Sequence, residues 1–179
     1  MSPTPPPKAN LSDLAQTPQD SRSARKNQDV ARRFTWEIAS ISVHLEELRY
    51  FWARALGISG PQWMIVMAIV EIDRGEGVAV NAVSKMLHVD SSFVTTQSKL
   101  LEKKGFMRRK PSPDDARVVL MSLTDKTYKQ LATLEIQQSA INDFIFEEFN
   151  DRELSTFTDK LAALKDRIEK ACTKVALGL

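Results

Sequence analysis

Between Val30 and Leu56 the apolar side chains fall at Phe34, Ile38, Ile41, Leu45, Leu48, Trp52 and Ala55, in alternating steps of four and three residues. That spacing keeps one edge of a helix apolar along its whole length and makes a heptad seam. Trp36, Val43 and Tyr50 form a second stripe about 200° around the same helix. A helix with two apolar edges must be covered on both. Near the other end Leu154, Phe157, Leu161, Leu164, Ile168, Ala171 and Val175 repeat the pattern in a helix opened by Asn150 or Asp151. Neither seam has an obvious partner within the chain. The economical reading is a homodimer whose helical dimerisation domain is built from residues 29–57 and 125–179. A monomeric bundle sealing both seams internally is the alternative.

The middle of the chain, residues 58–124, has a different rhythm. Gly57 ends the first helix, and Ser59 to Gln62 is a capping box with Ile58 and Trp63 as its hydrophobic staple and Pro61 in the first turn. Residues 60–73 are nearly all apolar and predict a core helix. Two glycines and a short strand-like piece fill 74–80. A short helix over about 81–88 should turn Val83, Met86 and Leu87 inward, and His88-Val89-Asp90 makes the turn of a helix-turn-helix. Asp90 is placed to cap the next helix with its carboxylate, and Gly105 to end it in the left-handed conformation, so 91–104 reads as one helix. Phe93, Val94, Leu100 and Leu101 then fall on one side, with Ser91, Ser92, Thr95, Thr96, Lys99, Glu102 and Lys103 on the other. A hairpin follows, turning through Pro111 to Asp115 and returning over Val118 to Leu123. Thr124 caps a long helix to about Phe149. The fold class is mainly α with one small β-hairpin.

Charge sharpens this picture. From Lys99 to Arg117 there are seven Lys/Arg (99, 103, 104, 108, 109, 110, 117) against three acids (102, 114, 115), an excess of +4, whereas the whole chain has 25 against 23 and a net charge of +2. Positive charge gathered on a hydroxyl-rich helix and a hairpin is the footprint of a nucleic-acid contact. A chain of 179 residues, 42% hydrophobic and 27% charged, is globular. It has no apolar run of about 18 residues, the length a membrane span needs, and no signal-peptide core. With Cys172 as the lone cysteine, a reducing cytoplasmic setting is expected. Residues 1–28 carry five of the eight prolines and few apolar side chains, and are expected to be a disordered tail. Catalysis is not expected: the only histidines are His44 and His88, and no phosphate loop, HExxH or GxSxG spacing occurs. No cofactor or metal site is expected either. A helical adaptor and a DNA-binding protein without a ligand remain as alternatives.

The stretch KLLEKKGFMRRKPSPDDARVVLMSLTDK resembles the recognition helix and wing of the MarR (multiple antibiotic resistance regulator) family of winged helix-turn-helix regulators. The resemblance rests on Leu101, Gly105, Arg109, Asp115, Arg117, Leu123 and Thr124 and extends more loosely from about residue 30 to about 172. It implies a cytoplasmic repressor that binds a pseudo-palindromic double-stranded DNA operator. Ser91, Ser92, Thr95, Thr96 and Lys99 would enter the major groove. Arg117 would reach a minor groove, oriented by Asp115 through a two-oxygen pairing, and Arg108, Arg109 and Lys110 would hold phosphates. It further implies a small effector of the aromatic or phenolic carboxylate type, for which Trp36, His44, Arg49, Trp52 and Trp63 are the candidate lining. Three positions depart from the family pattern: Thr96 stands where an arginine is usual, Gln97 where an aliphatic residue is usual, and Ala116 where a basic residue is often found.

Overall fold

Pro18–Ala55 forms one helix of 38 residues, α1, in a computed structural model that describes residues 18–178, with side chains from residue 27 onward. Of the tail expected over 1–28, residues 1–17 lie outside the described residues, and 18–28 are helical instead. The apolar pattern gives no hint of this, because the sequence of the added turns carries no apolar seam. They rest on propensity: Ala, Arg, Lys and Gln favour helix, and extending a helix already nucleated by its apolar half costs little.

Gly57 closes α1 at φ +70°. Its N–H donates to Arg54 O at 3.0 Å and that of Ile58 to Ala53 O at 3.0 Å, the paired bonds of a Schellman motif. The capping box forms as the sequence predicts: Ser59 N–H donates to Gln62 Oε1 at 3.2 Å and Gln62 N–H to Ser59 Oγ at 3.4 Å. It opens α2, Gly60–Ile72. Trp52, Ala53, Ile58, Gln62 and Trp63 are buried around this turn. The chain divides into two units between Met64 and Ile65, inside α2.

In the second unit Ile65, Val66, Ala68 and Ile69 continue the buried face of α2. Asp73 Oδ1 accepts from Gly75 N–H and Gly77 N–H at 2.9 and 3.0 Å and so bends the loop toward β1, Val78–Ala79. A side chain at residue 77 would place its Cβ 3.3 Å from Met121 O, and φ there is +87°, so only glycine fits. There follow α3 (Val80–Leu87), α4 (Ser91–Lys103), β2 (Met107–Pro111), β3 (Val119–Leu123), α5 (Asp125–Phe146) and α6 (Asp151–Ala176). The three strands form one antiparallel sheet in the order β1-β3-β2.

The buried stripes differ from expectation in α3 and α4. In α3 they are Val83 and Ser84, and Met86 is 43% exposed because it lies about 110° around the helix from their mean direction. In α4 the buried positions are Val94, Ser98 and Leu101, while Phe93 and Leu100 stay exposed about 100° away. Ser98 tolerates burial because its hydroxyl donates to Thr95 O at 3.1 Å. Below the sheet, the start of α5 is tied to the turn between α4 and β2. Thr127 Oγ1 donates to Phe106 O at 2.6 Å, and Thr124 Oγ1 donates to Gly105 O at 2.9 Å. α5 stops at Phe146, short of the expected Phe149, whose ring stacks on Phe157 with centroids 6.2 Å apart. Asn150 then opens α6 with a complete capping box to Glu153. No residue of α6 is buried. Among the described residues no single helix is long and apolar enough to cross a membrane.

Candidate nucleic-acid interface

Three local devices fix the attitude of α4. His88 takes the left-handed conformation at φ 53°, which lets Val89 N–H reach back to Ser84 O at 3.0 Å and turns the chain sharply. Ser84 Oγ lies 2.9 Å from Ser91 Oγ, joining α3 to the first residue of α4. At the far end Gly105 N–H donates to Glu102 O and Phe106 N–H to Leu101 O, both at 2.9 Å, a second Schellman motif. Asp90 has the extended backbone of an N-cap, but its carboxylate makes no capping bond and lies exposed. The expected side-chain cap is thus replaced by backbone geometry alone.

Of the predicted major-groove residues Ser91, Ser92, Thr96 and Lys99 are exposed and Thr95 is half-buried. The wing sorts its basic residues by strand alternation. Arg108 pairs with Ser122 and Lys110 with Leu120 on one face, whereas Arg109 pairs with Met121, which is buried, on the other. The expected cluster of three phosphate holders is therefore split. Arg109 N–H donates to Glu102 Oε1 at 2.9 Å, and its Nε is buried without a hydrogen-bond partner among the described residues. Arg109 belongs to the join between wing and helix; Arg108 and Lys110 face outward.

At the tip Ser112 N–H donates to Val118 O at 2.8 Å and Val118 N–H to Asp115 O at 2.9 Å. Asp115 Oδ1 accepts both the Arg117 backbone N–H at 2.9 Å and its Nε–H at 3.3 Å. One oxygen serves both donors, so the two-oxygen fork foreseen from sequence does not form. Two residues in a tight turn bring Oδ1 against the Arg117 backbone first, and the guanidinium meets the same atom. The Arg117 side chain is 93% exposed, so this pair steers it without holding it down.

Ser91, Thr95 and Arg117 line one shallow cavity of about 250 Å³ together with Val80, Asn81, Val118 and Val119. Helix starts and wing, separated by more than 20 residues in sequence, thus converge on a single recess of mixed polar and apolar lining. Asn81 was not foreseen as part of it. The sequence signal available was its place in the first turn of α3, since the first helix of a helix-turn-helix generally crosses the DNA backbone.

The candidate effector residues do not converge. Trp36 is 75% exposed and borders a cleft formed with its own helical neighbours Asp29, Arg32, Arg33, Thr35 and Ala39. Trp52 lies sixteen residues further on, about 24 Å along the axis, too far to share a small-molecule site within one helix. His44 is exposed, with Nδ1 2.8 Å from Ser40 O. Arg49 is half-buried near Glu46 at 3.8 Å, and Trp52 and Trp63 are buried. Cys172 is exposed in the protomer.

Residues 58–119 match the family model described as MarR family. The HTH-type transcriptional regulator SarZ of Staphylococcus haemolyticus is 31% identical over 84 residues, 47% of this chain and 54% of that protein. The HTH-type transcriptional regulator YdgJ of Bacillus subtilis is 24% identical over 112 residues, 63% of this chain and 66% of that protein. The chain therefore spans between about half and two thirds of the length of these relatives. The fold is also that of a MarR family transcriptional regulator from Listeria monocytogenes solved in complex with a 26mer DNA, at a TM-score of 0.67 and 20% identity, covering 80% of this chain and 94% of that one. A helix-turn-helix, a charged wing and a domain match over the same stretch lead to one assignment: residues 58–119 are similar to the MarR family domain and have its winged helix-turn-helix fold.

Proposed function

We propose that the chain is a transcriptional regulator that binds a pseudo-palindromic double-stranded DNA operator as a homodimer. Residues 58–124 form the DNA-binding domain, and residues 29–57 and 125–179 supply the dimerisation domain. Ser91, Ser92, Thr95, Thr96 and Lys99 enter the major groove. Arg117, steered by Asp115, enters the neighbouring minor groove, where a narrow and negatively charged floor favours a guanidinium. Arg108 and Lys110 hold phosphates on the outer face of the wing. The observation that carries this reading is the recess shared by Ser91, Thr95 and Arg117. The test is a gel shift against a duplex enriched from a random library, run across a salt series. Affinity should fall steeply with salt, and Arg117→Ala should weaken binding by about 1–3 kcal/mol with an unchanged melting temperature. Equal affinity for the variant would remove the wing from the interface.

The finer part of the proposal is a repressor, working in the cytoplasm, that is released by a small aromatic or phenolic carboxylate. Its support is narrower than the sequence alone implied. Arg49 and Trp52 lie about 60° apart on α1, one turn from each other, and set a half-buried cation beside a buried indole. Trp63 and His44 are the further candidates, and Trp36 is left out of the site. Benzoate and hydroxybenzoates should raise the melting temperature and displace operator, and Arg49→Ala should abolish both effects. A panel of such acids that changes neither quantity would dismiss the sensing role.

A further inference from the structure

A hydroxyl has one proton to give and two lone pairs to offer. On the recognition helix that single proton is already committed at two of the predicted base-reading positions. Ser84 Oγ is 3.0 Å from Asn81 O, and a carbonyl only accepts, so the Ser84 proton points there. The 2.9 Å contact between Ser84 Oγ and Ser91 Oγ must then be donated by Ser91. Ser84 is buried, so turning its proton toward Ser91 would leave the Asn81 carbonyl without this donor. Thr96 Oγ1 donates to Ser92 O at 3.0 Å, spending its proton on its own helix. Both side chains therefore present lone pairs outward. Lys99, which can only donate, lies about 60° from Thr96 and nearly one turn further along the helix.

In the major groove guanine offers acceptors alone, N7 and O6, whereas adenine N6 and cytosine N4 offer donors. We propose that Ser91 and Thr96 read the operator as hydrogen-bond acceptors, so that the bases they meet are adenine or cytosine presenting an exocyclic amino group. This rests on the DNA-binding reading above and adds the polarity of readout to it. It also inverts the chemistry expected of an arginine at residue 96: the guanine-seeking donor is replaced by a group that repels a guanine edge. Lys99 supplies a donor on the same helix, toward a phosphate, a guanine or a thymine O4.

The test uses the full chain and duplexes enriched from a random-sequence library. At each conserved adenine or cytosine the amino group is deleted by substituting purine or 4-deaminated pyrimidinone nucleosides. At each conserved guanine N7 is deleted with 7-deazaguanine. At the Ser91 and Thr96 positions amino deletion should weaken wild-type binding about 3- to 10-fold, the worth of one hydrogen bond. Ser91→Ala and Thr96→Val should each lose sensitivity at one position while keeping affinity for non-specific DNA. Ser84→Ala, a change at a residue that touches no DNA, frees the Ser91 proton and should shift selection at that position toward guanine or thymine. Its melting curve serves as the folding control. If amino deletion is silent for the wild type while 7-deazaguanine costs affinity at those positions, or if Ser84→Ala selects the same operator, the inference is overturned. If no duplex is enriched and binding does not depend on salt, the DNA-binding reading itself fails and takes this one with it.

Discussion

The winged segment and the long helices differ in how far the chain completes them. From Val78 to Leu134 a continuous set of side chains is buried: Val83, Val94, Leu101, Phe106, Met107, Met121, Leu123 and Leu134. Along α6 nothing is buried, and Ile168 and Val175 are 53% and 75% exposed. The second half of α5 is similar, with Ile136, Phe144 and Ile145 exposed. Large apolar side chains at helical spacing cost stability when left in water, about 1.5–3 kcal/mol each for those fully covered elsewhere. One region is covered by its own side chains, and the other leaves its apolar seam exposed in the protomer. A second copy is the occupant proposed here, because the seams repeat at both ends of the same chain.

Breaking the unfinished region should have the largest effect. The double substitution Phe157→Asp with Ile168→Asp should give the mass of a single chain by light scattering. It should also lower operator affinity by about a hundred-fold, since two linked half-sites are no longer held together. A variant that stays dimeric would refute the α6 seam. Breaking the finished region should cost less and act on folding. Thr127→Val removes the 2.6 Å donor to Phe106 O and should destabilise the fold by about 1–3 kcal/mol in denaturant titration, without changing the mass in solution. The smallest effect concerns Tyr128. Burial, and then the nearby Asp73 carboxylate, raise its phenol above the ordinary value of 10.0. The folded state holds this proton more tightly than the unfolded chain does. Its stability is therefore intact below about pH 10 and declines as pH rises through the higher folded value. An absorbance titration of Tyr128 against its Phe variant checks the direction.

The same contrast explains what could be read from sequence. Devices made by neighbours were legible: the Ser59–Gln62 capping box, the glycine stops at Gly57 and Gly105, and the helices that carry the heptad spacing. Devices made at a distance were not. Thr127 and Phe106 are 21 residues apart, and nothing in either local pattern announces their bond. The turn of Arg109 away from Arg108 and Lys110 was available in the two-residue period of a strand, but charge drew the three together as one cluster. The helix over 18–28 escaped notice for the opposite reason, since it has propensity without an apolar pattern. Among the effector candidates, Trp36 and Trp52 lie sixteen residues apart on α1, a separation that aromatic composition alone does not register.

Two threonines carry a mechanical consequence. Through Thr124 and Thr127 the first turn of α5 is bolted to the carbonyls of Gly105 and Phe106, where α4 stops and the wing begins. Rotating the first turn of α5 away from this joint would break both hydrogen bonds, at a cost of about 1–3 kcal/mol, so small displacements of that turn and of the α4–β2 turn are coupled.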